Sequence, residues 1–397
     1  MCFSAVFLAL SKGRFMMLSR PFSYHGHPTE ILRQFTPNWF TVTMGTGVLA
    51  LLLNQLPGPA WLPGLAAWVW RANIALFAIF TVLYAAHWLF YPRQAVKSLS
   101  HPVVPMFLGA IPMGLATITN GTLVFGHDAQ LALRLWEVDT GLSVLIGLGV
   151  PFAMVVSQKH VLESMTGVWL LPIVACEVAA ASGALLAPHL PAEAAGLVLA
   201  GYGLWALSVP LAMGILTILF LRLVLHSLPP AEMAVSSWLA LGPLGTGALG
   251  LLLLGHAAPA AFAGGKLAFL GSVAQGIGVI GGLAIWAYGA WWLALAVAMT
   301  LAHRPHRLPF NMGWWGFTFP LGVFILATNA LGAQTGFTAF VVAGHLMTDI
   351  FVVLWGLVAL RTLCGAYHGS LFVSPCVPPR TKMSGPVGAV APASRCG

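Results

Sequence analysis

The sequence predicts an all-α integral membrane protein of about ten transmembrane helices, set as five helical hairpins in quasi-five-fold order around a central pore. Three observations predict it. Of 397 residues, 59% are hydrophobic and only 7% are charged, with a mean hydropathy of +0.90, which leaves too little polar surface to keep such a chain dissolved. About ten apolar runs reach the roughly 20 residues needed to cross a hydrocarbon layer. In alternate runs an aromatic residue is followed by a helix breaker, at Phe40/Gly45, Phe107/Pro112, Trp169/Pro172, Trp238/Pro243 and Trp315/Pro320. The breakers recur every 60 to 77 residues, too far apart for one helix and suited to a hairpin of two.

Taken in order, the runs fall into two kinds. The first, near 38–56, carries Thr41, Thr43 and Thr46 around Gly45, and the second, 67–91, reads as scaffold. The third, 103–125, holds Pro112, Thr117, Thr119 and Asn120; the fourth, 131–156, opens on Arg134, Glu137 and Asp139. Pro172, Glu177 and Ser182 lie on the fifth, 164–187, and the sixth, 194–225, is apolar. The seventh, 235–256, contains Ser236, Ser237, Pro243 and Thr246, and the eighth is 267–301. The ninth, 310–331, has Thr318, Pro320, Thr328 and Asn329, and the tenth, 335–363, has His345 and Asp349. Hydroxyls and backbone groups freed at Pro and Gly are tolerated at membrane depth where they face protein or a water-filled cavity. The odd runs are therefore the expected pore wall. Close helix packing through small residues is the competing explanation of the same glycines and serines.

Acids inside a span are functional candidates by default. Arg134 precedes Glu137 by three positions and is expected to pair with it; Asp139 and Glu137 are read as coupling or structural acids. Asp349 and His345, four apart, are expected to hydrogen-bond each other. Glu177 has no basic residue in its own run. Such a carboxyl is expected to be held neutral and to serve as a protonatable control point. A wall of hydroxyls with so few acids suits a partly dehydrated anion, since cation pores carry rings of Asp or Glu.

The basic residues set the orientation. Only Arg71, Arg134 and Lys266 of the seventeen Lys and Arg fall on the side opposite the N-terminus, so the positive-inside rule puts both termini in the cytoplasm and requires an even number of spans. The net charge of +8 is scattered over short loops and a tail, which excludes a nucleic-acid face. Cys2, Cys176, Cys364, Cys376 and Cys396 show no CxxC pairing, and neither His25 and His27 nor His303 and His306 complete a tetrahedral set, so no metal or other cofactor is expected. Gly276-Ile-Gly-Val-Ile-Gly281 matches GxGxxG but lies within a hydrophobic helix, where Gly278 and Gly282 read as a packing pair. No nucleophile constellation appears, so no enzyme is expected. The apolar Cys2–Leu10 precedes Lys12 and Arg14, the wrong order for a signal peptide, and Met16 or Met17 is an alternative start. The expected domains are a cytoplasmic segment 1–34, a transmembrane unit 35–364 and a disordered cytoplasmic tail 365–397.

Four stretches carry a family resemblance. Phe35-Thr-Pro-Asn-Trp-Phe-Thr-Val-Thr-Met-Gly-Thr-Gly47 resembles the first-helix signature of the tellurite-resistance/dicarboxylate transporter family, which includes the TehA proteins and the slow-type anion channels. His101-Pro-Val-Val-Pro-Met-Phe-Leu-Gly-Ala-Ile-Pro-Met-Gly-Leu-Ala-Thr-Ile-Thr-Asn120 and Asn311-Met-Gly-Trp-Trp-Gly-Phe-Thr-Phe-Pro-Leu-Gly322 are similar to its third and ninth helices, and Leu135-Trp-Glu-Val-Asp139 to its fourth. The likeness is closest to the branch of fungal-type sulfite efflux pumps and malate permeases. The resemblance implies ten helices as five hairpins, a pore lined by the odd helices, and a homotrimer in the cytoplasmic or plasma membrane. It also implies a phenylalanine plug, here Phe319 with Phe317 next. The expected cargo is a small anion, sulfite first and C4-dicarboxylates such as malate second. A tellurite or toxic-compound resistance protein with an indirect phenotype is the remaining alternative.

Overall fold

The computed structural model describes residue 24, residues 29–303 and residues 308–377. The Cys2–Leu10 stretch, Met16, Met17, His25, His27 and His306 lie outside them. Among the described residues every regular element is helical. A short helix α1 (Thr29–Arg33) precedes five repeats of one pattern. Each repeat opens with a 3-10 lead: Pro37–Trp39, Val104–Gly109, Gly167–Leu170, Ala231–Ala240 and Met312–Phe317. Each lead runs into an inner helix: α2 (Phe40–Gln55), α5 (Ala110–Val124), α7 (Leu171–Leu186), α9 (Leu241–Ala261) and α11 (Phe319–Thr335). A long outer helix follows: α3 (Leu62–Phe90), α6 (Ala129–Val156), α8 (Ala194–His226), α10 (Leu270–Ala302) and α12 (Thr338–His368), with the short α4 (Pro92–Leu99) after α3.

The prolines do not interrupt the inner helices, as the sequence pattern suggested. Pro112, Pro172, Pro243 and Pro320 are the second or third residue of α5, α7, α9 and α11. In a first turn the missing N–H would have no partner anyway, and the fixed φ fits the helix. They mark where a 3-10 lead becomes an α-helix. Gly45 is different again: it lies inside α2, where a Cβ would run into Thr318 and come within 2.9 Å of the Trp315 ring.

Inner and outer helices differ in what covers them. In Gly167–His189, 94% of the most apolar window is buried, against 17% in Ala129–Val156. Protein surrounds the first kind, and the second turns an apolar face outward. Nine helices among the described residues are long and apolar enough to span a membrane. The expected first span is α2, which at 16 residues is shorter and is buried along most of its length. Encased in protein, it can carry Thr and Gly that a lipid-facing helix would avoid.

The inner helices pack in a circuit: α2 on α5, α5 on α7, α7 on α9, α9 on α11 and α11 on α2. Each outer helix packs on its own inner partner and on the inner helix of the next repeat. A tryptophan marks that second contact every time. The indole N–H donates from Trp70 to the Ile118 carbonyl (3.4 Å), Trp136 to Ala179 (2.8 Å), Trp205 to Gly247 (2.9 Å), Trp286 to the Thr328 hydroxyl (2.8 Å) and Trp355 to the Thr46 hydroxyl (3.3 Å). The last bond returns to the first repeat. Indoles are amphipathic, and a buried one needs an acceptor; here the acceptor is always the next inner helix.

The first and last described segments meet at the end of the bundle that holds the leads. Tyr24 N–H donates to the His368 carbonyl, and buried Gln34 donates to the Val377 carbonyl (3.1 Å) while accepting from Ser374 N–H (2.8 Å). Phe372 stacks on Trp39 at 4.5 Å. Residues 365–377, expected to be disordered, are therefore structured: α12 runs to His368, Gly369 caps it at φ 82°, and the segment beyond packs on the N-terminal side. Residues 378–397 lie outside the described part.

A candidate functional site where the five leads converge

A cavity of about 300 Å³ sits where the leads meet. The first repeat contributes Asn38, Thr41 and Met44, the second Val103 and Phe107, and the third Val168 and Leu171. From the fourth come Glu232, Met233, Val235, Ser236 and Leu239, and from the fifth Phe310, Asn311, Met312, Gly313, Trp315, Gly316, Phe319 and Pro320. Ser370, Leu371 and Val373, from the segment after α12, complete the lining. The inner helices that contribute do so only near their starts, through Thr41 and Met44 of α2, Leu171 of α7 and Phe319 and Pro320 of α11. Phe319 is 3% exposed.

Local chemistry shapes the leads. His101, buried at the head of the second, accepts from the N–H groups of Val103 (3.1 Å) and Val104 (3.3 Å) through Nδ1. Burial pushes its imidazole below the usual histidine range. At the fifth lead, Asn311 Oδ1 accepts from Gly313 N–H (2.7 Å) while its Nδ2 donates to the Glu232 carbonyl (3.0 Å), tying the fourth and fifth repeats together. Glycines permit the leads to touch: a Cβ on Gly109 would strike the Leu171 carbonyl, and one on Gly167 the Ser236 carbonyl. Arg361 lies over the rings of Phe310 (5.9 Å) and Trp314 (5.5 Å), which places a cation beside a cavity-lining aromatic.

The sequence candidates divide sharply. Phe319 and Pro320 line the cavity, as do Thr41 and Ser236. Phe317 does not; its ring packs edge-on against Trp238 (5.0 Å) and Trp314 (5.7 Å). Thr43 and Thr318 donate back to the Phe40 and Trp315 carbonyls, both at 2.7 Å. Thr117 donates to Gly114 (2.8 Å) and accepts from Asn73 Nδ2 (3.2 Å). Thr46 takes the Trp355 bond, and Thr246 faces Glu177. These hydroxyls occupy seams between helices, beside glycines such as Gly47 and Gly114 that let the backbones approach.

Among the acids, Asp139 and Glu177 are fully buried, whereas Glu137 and Asp349 are exposed on outer helices. Arg134 is exposed and makes no ion pair with Glu137, and His345 makes no hydrogen bond with Asp349. In both cases the spacing was right and the side chains point outward. Gly278 and Gly282 are close-packing positions, against the Leu251 carbonyl and Leu252. His303 bonds to the Met299 and Pro229 carbonyls, and no group able to hold a metal is found among the described residues. Sequence reasoning missed Asn38, Met44, Phe107, Leu171, Leu239 and Asn311 as lining. The available signal was their position just before or at each helix start.

Comparison with known proteins fits this architecture. The chain is 38% identical over 356 residues to the sulfite efflux pump SSU1 of Trichophyton rubrum, covering 86% of this chain and 93% of the relative. It is 29% identical over 348 residues to an uncharacterized transporter of Methanocaldococcus jannaschii, covering 86% and 96%. With the malic acid transport protein of Schizosaccharomyces pombe the identity is 22% over 347 residues, covering 82% and 77%. Residues 34–363 match the voltage-dependent anion channel model, and the chain belongs to that family of membrane transport proteins.

Proposed function

We propose that the protein is a multi-pass protein of the cytoplasmic or plasma membrane that carries small anions outward, sulfite first, along a conduit enclosed by the five inner helices and closed at Phe319. The observation that carries this reading is the cavity itself: all five leads supply its wall, and Phe319, at the start of α11, is part of it. The circuit of inner helices and the five repeated Trp bonds support a quasi-five-fold set of hairpins around that conduit. Sulfite leads because a relative named for sulfite efflux is 38% identical across nearly its whole length, while the malic acid relative is 22% identical. C4-dicarboxylate transport is the second reading.

The first and last described segments, which meet beside the leads, support an even number of crossings between them. With the excess of Lys and Arg on that side, the cavity opens toward the cytoplasm. A homotrimer, with one conduit per subunit, completes the proposal. Flux from proteoliposomes loaded with sulfite, malate, chloride or nitrate tests it, wild type beside Phe319→Ala. Sulfite-selective release that rises in the variant is the expected result. Malate in preference to sulfite would select the second reading, and no movement of any anion from correctly folded protein would refute the conduit.

A further inference from the structure

Glu177 stands apart from the cavity. It lies midway along α7, fully buried, in the seam that α7 makes with α8 and α9. Its Oε1 is 2.6 Å from the Thr246 hydroxyl oxygen on α9, and that hydroxyl oxygen is 2.7 Å from the Gly242 carbonyl one turn earlier. A threonine hydroxyl has one proton to donate. Both contacts are full, unshared hydrogen bonds at the same time only when the carboxyl carries its own proton, donates it to Thr246, and Thr246 donates to Gly242. Glu177 Oε2 makes no close hydrogen bond among the described residues, and the nearby Ser208 hydroxyl donates instead to the Ile173 carbonyl (2.9 Å). A neutral acid tolerates that; a buried ion does not.

The groups around the seam supply no counter-ion. On α7 itself the neighbour is the Cys176 thiol, which lies within electrostatic reach of both Glu177 and Asp139. From α6 comes Asp139, buried, with neither carboxyl oxygen bonded among the described residues; Arg134 and Glu137 on the same helix point outward. The α8 helix offers Ser208 beside the carboxyl, with Tyr202 half-buried, His226 exposed at the end, and Arg222 bound to the Glu163 and Ser227 carbonyls. On α9 the one titratable group, His256, is exposed, and α5 carries none.

We propose that Glu177 is a proton-binding site, and that the chain Glu177–Thr246–Gly242 conveys its occupancy to the cavity wall. When the proton leaves, the Thr246 hydroxyl is the donor already in place for the carboxylate. Turning to it releases the Gly242 carbonyl in the first turn of α9. Gly242 is three residues beyond Leu239, which lines the cavity together with Ser236. A change at the carboxyl is thus delivered to one of the five walls. This inference rests on the anion-conduit reading for its consequence but not for the proton site itself.

Two measurements test it. Sulfite flux is followed against pH for wild type, Glu177→Gln and Thr246→Val; the glutamine amide donates to Thr246 as the acid does. The expected result is a pH response in wild type that is lost in Glu177→Gln, and lost or displaced in Thr246→Val. Infrared spectra of the same proteins are expected to show a protonated-carboxyl stretch that disappears in Glu177→Gln and shifts in Thr246→Val. An unchanged pH profile in a folded Glu177→Gln protein overturns the coupling, and the absence of any protonated-carboxyl band lost on that substitution overturns the site. If wild type moves no anion, the conduit reading fails alone, and the infrared band still decides this proposal.

Discussion

Two phenylalanines stand two residues apart where the fifth lead meets α11, and their surroundings differ. Phe319 borders the cavity yet is itself buried, so Phe319→Ala is expected to raise anion flux through the proposed conduit at a stability cost of about 3–5 kcal/mol. Phe317 fills a cage of Trp238 and Trp314. Phe317→Ala is expected to cost about 3–5 kcal/mol, read as a lower melting temperature in detergent, without an increase in flux per folded molecule. A reversed pattern would reassign the gate. His101 offers a pH prediction outside the membrane spans. Its Nδ1 accepts two backbone N–H bonds, which imidazolium cannot do, and burial lowers its pKa from the ordinary 6.5. The unfolded chain therefore binds the proton more readily. His101's contribution is fully present above pH 6.5 and is lost as pH falls through the lowered folded value. His101→Ala should flatten the fall in melting temperature below about pH 6.5, and an unchanged acid limb would remove His101 from the account.

At the scale of elements, the spans were legible and their seams were not. Apolar length alone placed the five outer helices within about five residues of their observed bounds, because a membrane helix must satisfy its own backbone and so declares itself by an uninterrupted run, but it ran α5, α7, α9 and α11 together with their leads. The 3-10 leads escaped, since Asn38, Phe107 or Leu239 carries no periodic signature distinguishing it from a helix start. The polar residues misled for a physical reason: Thr43, Thr117 and Thr318 satisfy themselves on the preceding turn and pack against glycine, so a hydroxyl on an inner helix need not face water. The tryptophan bonds between repeats were equally invisible, because each joins residues 42 to 48 apart, or 309 for the closing pair. Replacing Trp136 or Trp205 with Phe leaves a buried carbonyl one bond short and should cost about 1 kcal/mol, whereas the half-exposed Trp291 should tolerate the same change. Equal melting temperatures for all three would deny the bonds any role in holding repeats together. The segment after α12 gives a further prediction. It roofs the cavity through Ser370, Leu371 and Val373, so deleting residues 369–397 should speed modification of a cysteine placed at Ser236, with the five native cysteines replaced, by an impermeant thiol reagent. An unaltered rate would mean that the segment obstructs nothing.

On the scale of the whole molecule, the interior is well accounted for and the outer surface is not. Family membership was readable from four motifs, because they spell out the leads and the tight helix contacts that every such bundle needs. Nothing in the sequence distinguished the outward-facing Glu137 and Asp349 from the buried Asp139, since a single residue's direction depends on helix rotation. Glu137 lies about 12 Å and Asp349 about 16 Å along their helices from the nearer start, at 1.5 Å per residue, and both are exposed on a single subunit. Carboxylates facing hydrocarbon cost several kcal/mol, a burden that a second copy of the chain would relieve by covering the outward faces of α6 and α12. Under the proposed homotrimer, native mass measurement in mild detergent should give three times the 41.9 kDa chain mass. Glu137→Arg or Asp349→Arg should shift the population toward smaller species while leaving the secondary structure intact. If the protein is monomeric at all accessible concentrations, those two acids face lipid or its headgroups, and each substitution to Leu should then stabilise the isolated chain instead.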